Sequence, residues 1–287
     1  MEREVEGLAP LELSEFVDRV LKEDLGAGGD ITSVATVSID ACLCGAIVAR
    51  QPLTLAGVGV AAAFFRRLDP GVRIAKLAAD GAALAPGAQV LRVEGQARAL
   101  LAAERSALNT LAHLSGIATM AGTYAKAIEG TGCTLLDTRK TVPGLRSLAK
   151  YAARVGGAQN HRMRLDDGIL IKDNHIAVAG NVRAAVAAAK AARLPTNIQV
   201  EVDEVEQIEE ALAAGADSIL CDNMALEDLR RAVELVRGRV PIEASGGVRL
   251  GTIRTIALTG VTYVSVGRIT QSAPAVDLGL DYIAGPA

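Results

Sequence analysis

The sequence predicts an α/β protein in two parts, a small N-terminal α+β domain followed by a βα barrel in which six strands are easier to find than eight. Three observations predict it. From about residue 134 onward, short apolar segments alternate with amphipathic helical ones. The last three strand-to-strand steps are each roughly twenty residues, the length of a minimal βα unit, and repeated units of that kind imply a parallel sheet with right-handed crossovers. Before about residue 100 the rhythm differs, mixing short helices with alternating segments. An open doubly wound sheet is the competing arrangement of the same elements.

The elements follow in order. Residues 13–25 have helical spacing, with Leu13, Phe16, Val17, Val20 and Leu21 on one face. CLCGAIVAR (42–50) and AQVLRVEGQA (88–97) alternate like half-buried strands, and Pro52, Asp80-Gly81 and Pro86-Gly87 punctuate them as turns. An Ala-rich helix is predicted from near Glu104 past Ser115-Gly116. The barrel strands are TLLDT (134–138), GILIK (168–172), IQVEV (198–202), SILCD (218–222), PIEAS (241–245) and YVSVG (263–267). Helices between them include 144–155, 182–193, 204–214 and 225–237. The boundaries expected are 1–110 for the first domain, 111–270 for the barrel, and 271–287 for a tail that packs back on the first domain.

Composition narrows the classes. Half of the 287 residues are apolar but only 2% are aromatic, so the core must be Leu, Ile, Val and Ala packed at close range. A net charge of −3 gives no global signal for nucleic acid. Cys42, Cys44, Cys133 and Cys221 form no CxxC pair, and with three histidines a Cys/His zinc site is not expected. Scattered free thiols fit a reducing cytoplasm. MEREVEGLAP has no apolar signal-peptide core, and no uncharged apolar run approaches the ~18 residues of a membrane span, so neither secretion nor a membrane is expected.

In a βα barrel the chemistry sits at the carboxyl ends of the strands. Here the first ends at Arg139-Lys140, with His161-Arg162 on the loop that follows, and the second at Lys172. Cations clustered away from water ask for an anion, and planar guanidinium groups suit carboxylate or phosphate. The middle strands carry Glu201 and Asp222, a carboxylate pair suited to magnesium that also takes substrate oxygens. The late strands end in Ser245-Gly246-Gly247 and Gly267-Arg268, where backbone N–H groups can approach a phosphate. The set describes a multi-carboxylate ligand, a magnesium polyphosphate and a terminal phosphate, the parts that a phosphoribosyl transfer needs.

The stretch LLDTRKTVPGLRSLAKYAARVGGAQNHRMRLDDGILIKDNHI (135–176) resembles the signature region of the quinolinate phosphoribosyltransferase family. ERSALNTLAHLSGIAT (104–119), IQVEVDE (198–204), DNM (222–224), EASGG (243–247), SVG (265–267) and the early segments Glu23–Gly26 and Gly29–Ser33 continue the match along almost the whole chain. The resemblance implies an N-terminal α/β sandwich, an incomplete α/β barrel, and a homodimer in which Arg105 is contributed across the interface. It implies that Arg105, Arg139, His161, Arg162 and Lys172 hold the two quinolinate carboxylates, with Lys140 between quinolinate and the pyrophosphate. Glu201 and Asp222 serve the ribose hydroxyls and Mg²⁺, directly or through substrate oxygens, and Ser245, Gly246, Gly247 and Gly267 hold the 5′-phosphate. On this basis Lys140, Lys172, Glu201 and Asp222 are the catalytic candidates. Gln271 stands where the family usually has a basic residue, and Arg268 is placed to compensate. A relative associated with molybdenum transport shares the DTRK segment but generally lacks the NHR and IKDNH segments present here.

Other features carry weaker signals. GVGVAA (57–62) with Asp80 mimics a dinucleotide fingerprint, but Pro52 breaks the strand before it and Asp80-Gly81 reads as a turn. Lys172 at a strand end could serve a Schiff-base lyase, although the cations around it favour an anion site. A catalytically idle binder would not need Glu201 and Asp222 together. His113 reads as a packing or interface residue, His175 as orienting the turn after Lys172, and Cys221 as core.

Overall fold

The computed structural model describes residues 10–283, and its contacts divide the chain into two compact units. The first takes in residues up to Met120, Ser147–Gly156 and the tail from Ser272. The second comprises Ala121–Arg146 and Gly157–Gln271. The division at 120–121 lies about ten residues beyond the expected boundary, because it falls inside one continuous helix rather than at a linker.

In the first unit, α1 (Pro10–Leu25) buries Leu13, Phe16, Val17 and Leu21, the stripe that its periodicity marks. The short helix α2 (Ile31–Thr36) is capped by Asp30, whose carboxylate accepts from the Ser33 N–H. Strands β1 (Cys42–Ala49) and β2 (Leu53–Thr54) precede α3 (Val58–Leu68), and β3 (Arg73–Lys76), β4 (Ala83–Leu84) and β5 (Gln89–Gln96) follow it. Phe64 of α3 meets Phe16 edge to face, with ring centroids 6.1 Å apart. Helix α4 (Ala97–Ala127) starts seven residues before the expected Glu104, since ARALLAA holds strong helix formers and no breaker.

The GVGVAA segment opens α3, and its helix start is already occupied. Asp80 Oδ1 accepts from the Val58 N–H at 3.0 Å, and Asp80 Oδ2 accepts from the Tyr151 hydroxyl. A side-chain carboxylate sits where a dinucleotide phosphate would have to bind.

The second unit begins with β6 (Thr134–Leu136). After it the chain runs through α5 (Arg146–Val155), which lies almost wholly in the first unit, and then β7 (Ile169–Ile171), α6 (Asp173–Ala179), α7 (Val182–Ala191), β8 (Ile198–Val202) and α8 (Glu206–Ala214). It continues as β9 (Ser218–Asp222), α9 (Leu226–Val236), β10 (Ile242–Ser245), α10 (Leu250–Ala257), β11 (Tyr263–Ser265) and α11 (Arg268–Gln271). The six strands form one parallel sheet in the order β6-β11-β10-β9-β8-β7. Strands β7 to β11 follow one another in sequence and β6 joins beside β11, so the winding never reverses as a doubly wound sheet requires. The result is a barrel with a seam between β6 and β7, and on the β6 side of it Leu136 forms an isolated parallel bridge with Gln159 of the following loop.

Every expected barrel strand is present: β8 and β9 have the expected bounds, and β6, β7, β10 and β11 are one or two residues shorter. Alternation sets what faces where: along β8, Ile198, Val200 and Val202 are buried against the helix layer, and Gln199 and Glu201 point into the barrel. Helices α6 and α10 were not expected, being seven and eight residues long, too short for a period to show. In the tail, β12 (Leu278–Tyr282) pairs antiparallel with the edge of β1, giving the first unit a four-stranded sheet in the order β12-β1-β5-β3.

Candidate active site

A cavity of about 620 Å³ lies at the carboxyl ends of the barrel strands. Arg139, Lys140, His161, Arg162, Lys172, Glu201, Asp222, Ser245, Gly246, Gly247, Gly267 and Arg268 all line it. Arg105 instead lies exposed on α4 in the first unit.

The cationic side is built from loops tied to buried anchors. Asp137, fully buried at the end of β6, accepts from the His161 N–H at 2.8 Å and from Asn160 Nδ2 at 2.5 Å. These bonds pin the 160–162 segment to the strand carrying Arg139. Arg162 Nη1 donates to the Gly168 carbonyl at 2.8 Å. Its guanidinium has a lowered pKa, from burial first and then from repulsion by Arg139. Arg139 Nε is buried without a hydrogen-bond partner. A buried cationic donor left unsatisfied is costly, so the geometry calls for an acceptor at this spot.

Lys172 follows β7, and its ammonium pairs with Glu201 Oε2. His175 turns back to accept the Lys172 N–H on Nδ1 at 3.0 Å, holding the start of α6. Lys140 lies across Gly267, where an added Cβ would fall 2.8 Å from Lys140 Cδ. Thr270 Oγ1 donates to the Lys140 carbonyl at 2.7 Å.

The opposite wall is a glycine turn. Gly246 has φ +87° and packs so closely on Asn223 that an added Cβ would lie 2.8 Å from the Asn223 main-chain nitrogen. Asn223, itself at φ +53°, donates its N–H to the Ser245 carbonyl at 2.9 Å, so the loops after β9 and β10 are locked together. Asp222 accepts from Asn223 Nδ2 at 2.8 Å and has no cationic partner among the described residues.

Several lining residues were not singled out from the sequence: Thr138, Glu243, Arg249, Ser265 and Gln271 in its role as a wall. Glu243 is the most informative, being 1% exposed on β10. Burial pushes its carboxyl up, but hydrogen bonding with His161, and also with Ser265 and Gln199, more than offsets this and leaves it below the usual glutamate value. A charged residue inside the apolar strand PIEAS, at an inward position, was the available signal. Cys221 is fully buried on β9 and its thiol is pushed up to about 12 by burial, with a further contribution from Glu243, which fits core packing and no nucleophilic role.

Among the described residues no three acidic, His or Cys side chains gather to hold a metal. Glu201 is paired with Lys172, which leaves Asp222 as the main carboxylate for a cation. That donor set fits Mg²⁺ arriving with a polyphosphate that supplies most of its ligands.

Comparison with known proteins identifies the family and the fold. The profile "Quinolinate phosphoribosyl transferase, N-terminal domain" matches residues 30–115, and "Quinolinate phosphoribosyl transferase, C-terminal domain" matches residues 117–281. The chain belongs to the quinolinate phosphoribosyltransferase family. It is 43% identical over 272 residues to the nicotinate-nucleotide pyrophosphorylase [carboxylating] of Mycobacterium leprae, covering 93% of this chain and 96% of that one. A probable nicotinate-nucleotide pyrophosphorylase [carboxylating] from Bacillus subtilis is 40% identical, with 94% and 93% covered. The solved nicotinate-nucleotide pyrophosphorylase of Francisella tularensis superposes with a TM-score of 0.92 at 37% identity, covering 96% of this chain and 98% of that one.

Proposed function

We propose that this chain is a decarboxylating quinolinate phosphoribosyltransferase, converting quinolinate and phosphoribosyl pyrophosphate to nicotinate mononucleotide, pyrophosphate and CO₂. The observation that carries the reading is the division of one cavity into a cationic side with an unsatisfied Arg139 donor and a glycine-turn side at Gly246. The first suits the two ring carboxylates, the second the 5′-phosphate. Family membership and whole-length relatives that carry the same activity in their names support it.

The proposed roles are supported by position in the cavity and by the family resemblance. Arg139, Arg162 and Lys172 grip the carboxylates, and Arg105 joins them from a second copy in a homodimer. Lys140 stands between quinolinate and the leaving pyrophosphate. Ser245, Gly246, Gly247 and Gly267, with Arg268 at the rim, take the 5′-phosphate. Glu201 and Asp222 face the ribose. Mg²⁺, when bound, is held by Asp222 and Glu201 together with substrate oxygens and neutralises charge on the pyrophosphate.

The quinolinate ring nitrogen attacks the anomeric carbon as the bond to pyrophosphate breaks, through an oxocarbenium-like transition state. Glu201 and Asp222 stabilise that positive charge, and the rest of the site contributes orientation and electrostatics. The ring nitrogen becomes cationic. The adjacent carbon–carboxylate bond then breaks, its electron pair stays on the ring carbon beside that nitrogen, CO₂ leaves and a proton replaces it. Lys172 is engaged in an ion pair with Glu201, which argues against Schiff-base attack. Among the described residues no helix is long and apolar enough to cross a membrane. The free cysteines support placing the proposed reaction in a reducing cytoplasm.

The test is a product assay. Purified protein with Mg²⁺, phosphoribosyl pyrophosphate and either quinolinate or nicotinate should yield nicotinate mononucleotide from quinolinate alone. Folded protein that forms no product from quinolinate would overturn the reading.

A further inference from the structure

Beneath the cationic side lies a polar cluster that substrate binding alone does not explain. Glu243 is buried on β10, and its Oε2 accepts from Gln199 Nε2 at 2.8 Å. The other end of that amide, Gln199 Oε1, stands 3.1 Å from His161 Nε2, and Glu243 Oε2 is 3.3 Å from the same nitrogen. His161 Nδ1 accepts the Arg162 main-chain N–H at 2.8 Å.

Each contact permits one direction only. An ionised carboxylate offers acceptors and no donor, so it orients the Gln199 amide with nitrogen toward Glu243 and oxygen toward His161. An amide oxygen also only accepts, so His161 Nε2 must carry a proton. Nδ1 takes the Arg162 N–H and therefore carries none. His161 is then a neutral imidazole with both ring nitrogens engaged by the protein.

The cluster is also a partition. His161, Arg162 and Glu243 line the site cavity and a second cavity of about 360 Å³, which reaches the amino ends of the strands at Thr196, Asp217 and Pro241. With open space on both sides, Arg162 is held by tethers rather than by a surrounding core: Asp137 fixes the main chain at His161, the Gly168 carbonyl takes Nη1, and the hydrogen-bond chain through His161 adds a third.

We propose that Glu243 is a positioning residue: through Gln199 it holds His161 as the neutral Nε2–H tautomer, and through His161 it fixes the main chain of Arg162 at the carboxylate-binding end of the site. The proposal rests on the reading of this cavity as the quinolinate site. It gives His161 an indirect task in place of direct carboxylate contact. A neutral imidazole also spares the site another desolvated cation beside Arg139, Arg162 and Lys172.

The experiment has a spectroscopic and a kinetic arm. Full-length protein labelled with ¹⁵N-histidine contains three imidazoles, and His161→Gln identifies the one at issue. At neutral pH the wild-type spectrum should show His161 protonated on Nε2 alone, and an imidazolium or an Nδ1–H tautomer would overturn the proposal. In the kinetic arm, Glu243→Gln can donate toward Gln199 and so loses the imposed direction. Its KM for quinolinate should rise about tenfold or more, with KM for phosphoribosyl pyrophosphate within about twofold of wild type. The exchange Gln199→Glu with Glu243→Gln again faces His161 with an acceptor-only group and should recover most of the quinolinate affinity. Equal losses for both substrates, or an exchange no better than the single change, would refute it. Should Glu243→Gln fail to fold, the wild-type spectrum and the exchanged pair still decide. Wild-type protein inactive on quinolinate would remove the substrate reading while leaving the tautomer measurement intact.

Discussion

Replacing Gly246 by alanine tests how tightly the glycine turn is built. At φ +87° an L-residue is strained by about 1–2 kcal/mol. The added Cβ would lie 2.3 Å from Asn223 Oδ1 and 2.8 Å from the Asn223 main-chain nitrogen. The side-chain oxygen can swing aside, but the nitrogen is held by its bond to the Ser245 carbonyl. Relief therefore requires moving the turn, at the ~1–3 kcal/mol typical of overpacking. Together these give roughly 2–5 kcal/mol. Part should appear as a melting temperature lowered by roughly 5 °C or more. The displaced N–H groups should raise KM for phosphoribosyl pyrophosphate about tenfold or more while KM for quinolinate stays within about threefold. Gly247→Ala is the control: at φ +59° its Cβ would meet only Asn223 Oδ1 at 3.7 Å, so the conformational cost of about 1 kcal/mol stands alone. Thermal melts and kinetics with each substrate varied in turn give both readings. Equal effects of the two substitutions, or a Gly246→Ala protein indistinguishable from wild type, would refute the packing argument.

Other perturbations separate binding, stability and reactivity. Arg139→Ala should weaken quinolinate binding by about 1.5–3 kcal/mol, the cost of losing a charge-assisted bond, and unchanged quinolinate saturation would remove Arg139 from the site. Asp80→Ala should lower the melting temperature by the equivalent of about 0.5–2 kcal/mol by uncapping α3, with both KM values unchanged. The Cys133 and Cys221 thiols, raised to about 11 and about 12 chiefly by burial, stay protonated near pH 8, so only a minute fraction is reactive thiolate. Brief alkylation of native protein near pH 8 should therefore label exposed Cys42 first and leave Cys133 and Cys221 unmodified by mass spectrometry, and early labelling of Cys221 would contradict its burial.

The barrel was legible because its strands are short apolar runs at a steady spacing, each ending in a charged or glycine residue. The winding order was not, since a parallel sheet of either type gives the same alternation along the chain. The consecutive pairing of β7 to β11, with β6 joining beside β11, distinguishes them. Asp80 shows another limit. Its place beside a turn was readable, but its bond to the Val58 N–H spans 22 positions and leaves no local trace. Glu243 and Gln199 were hidden for a related reason. Glu243 is one inward charge between apolar neighbours, Gln199 shares its inward face with the more conspicuous Glu201, and the meaning of both depends on their meeting each other and His161.

The seam between β6 and β7 has a consequence for how the molecule is made. Strands β7 to β10 each find a partner one crossover away, whereas β6 must wait for β11, its register partner well over a hundred residues later. Such a contact closes a long loop and is slow to form. On a growing chain the carboxylate-gripping end, with Arg139 just past β6 and Lys172 just past β7, straddles the gap that closes last. Nascent chains can therefore hold most of their sheet while lacking a working site, and catalytic competence arrives only after the final barrel strand has emerged.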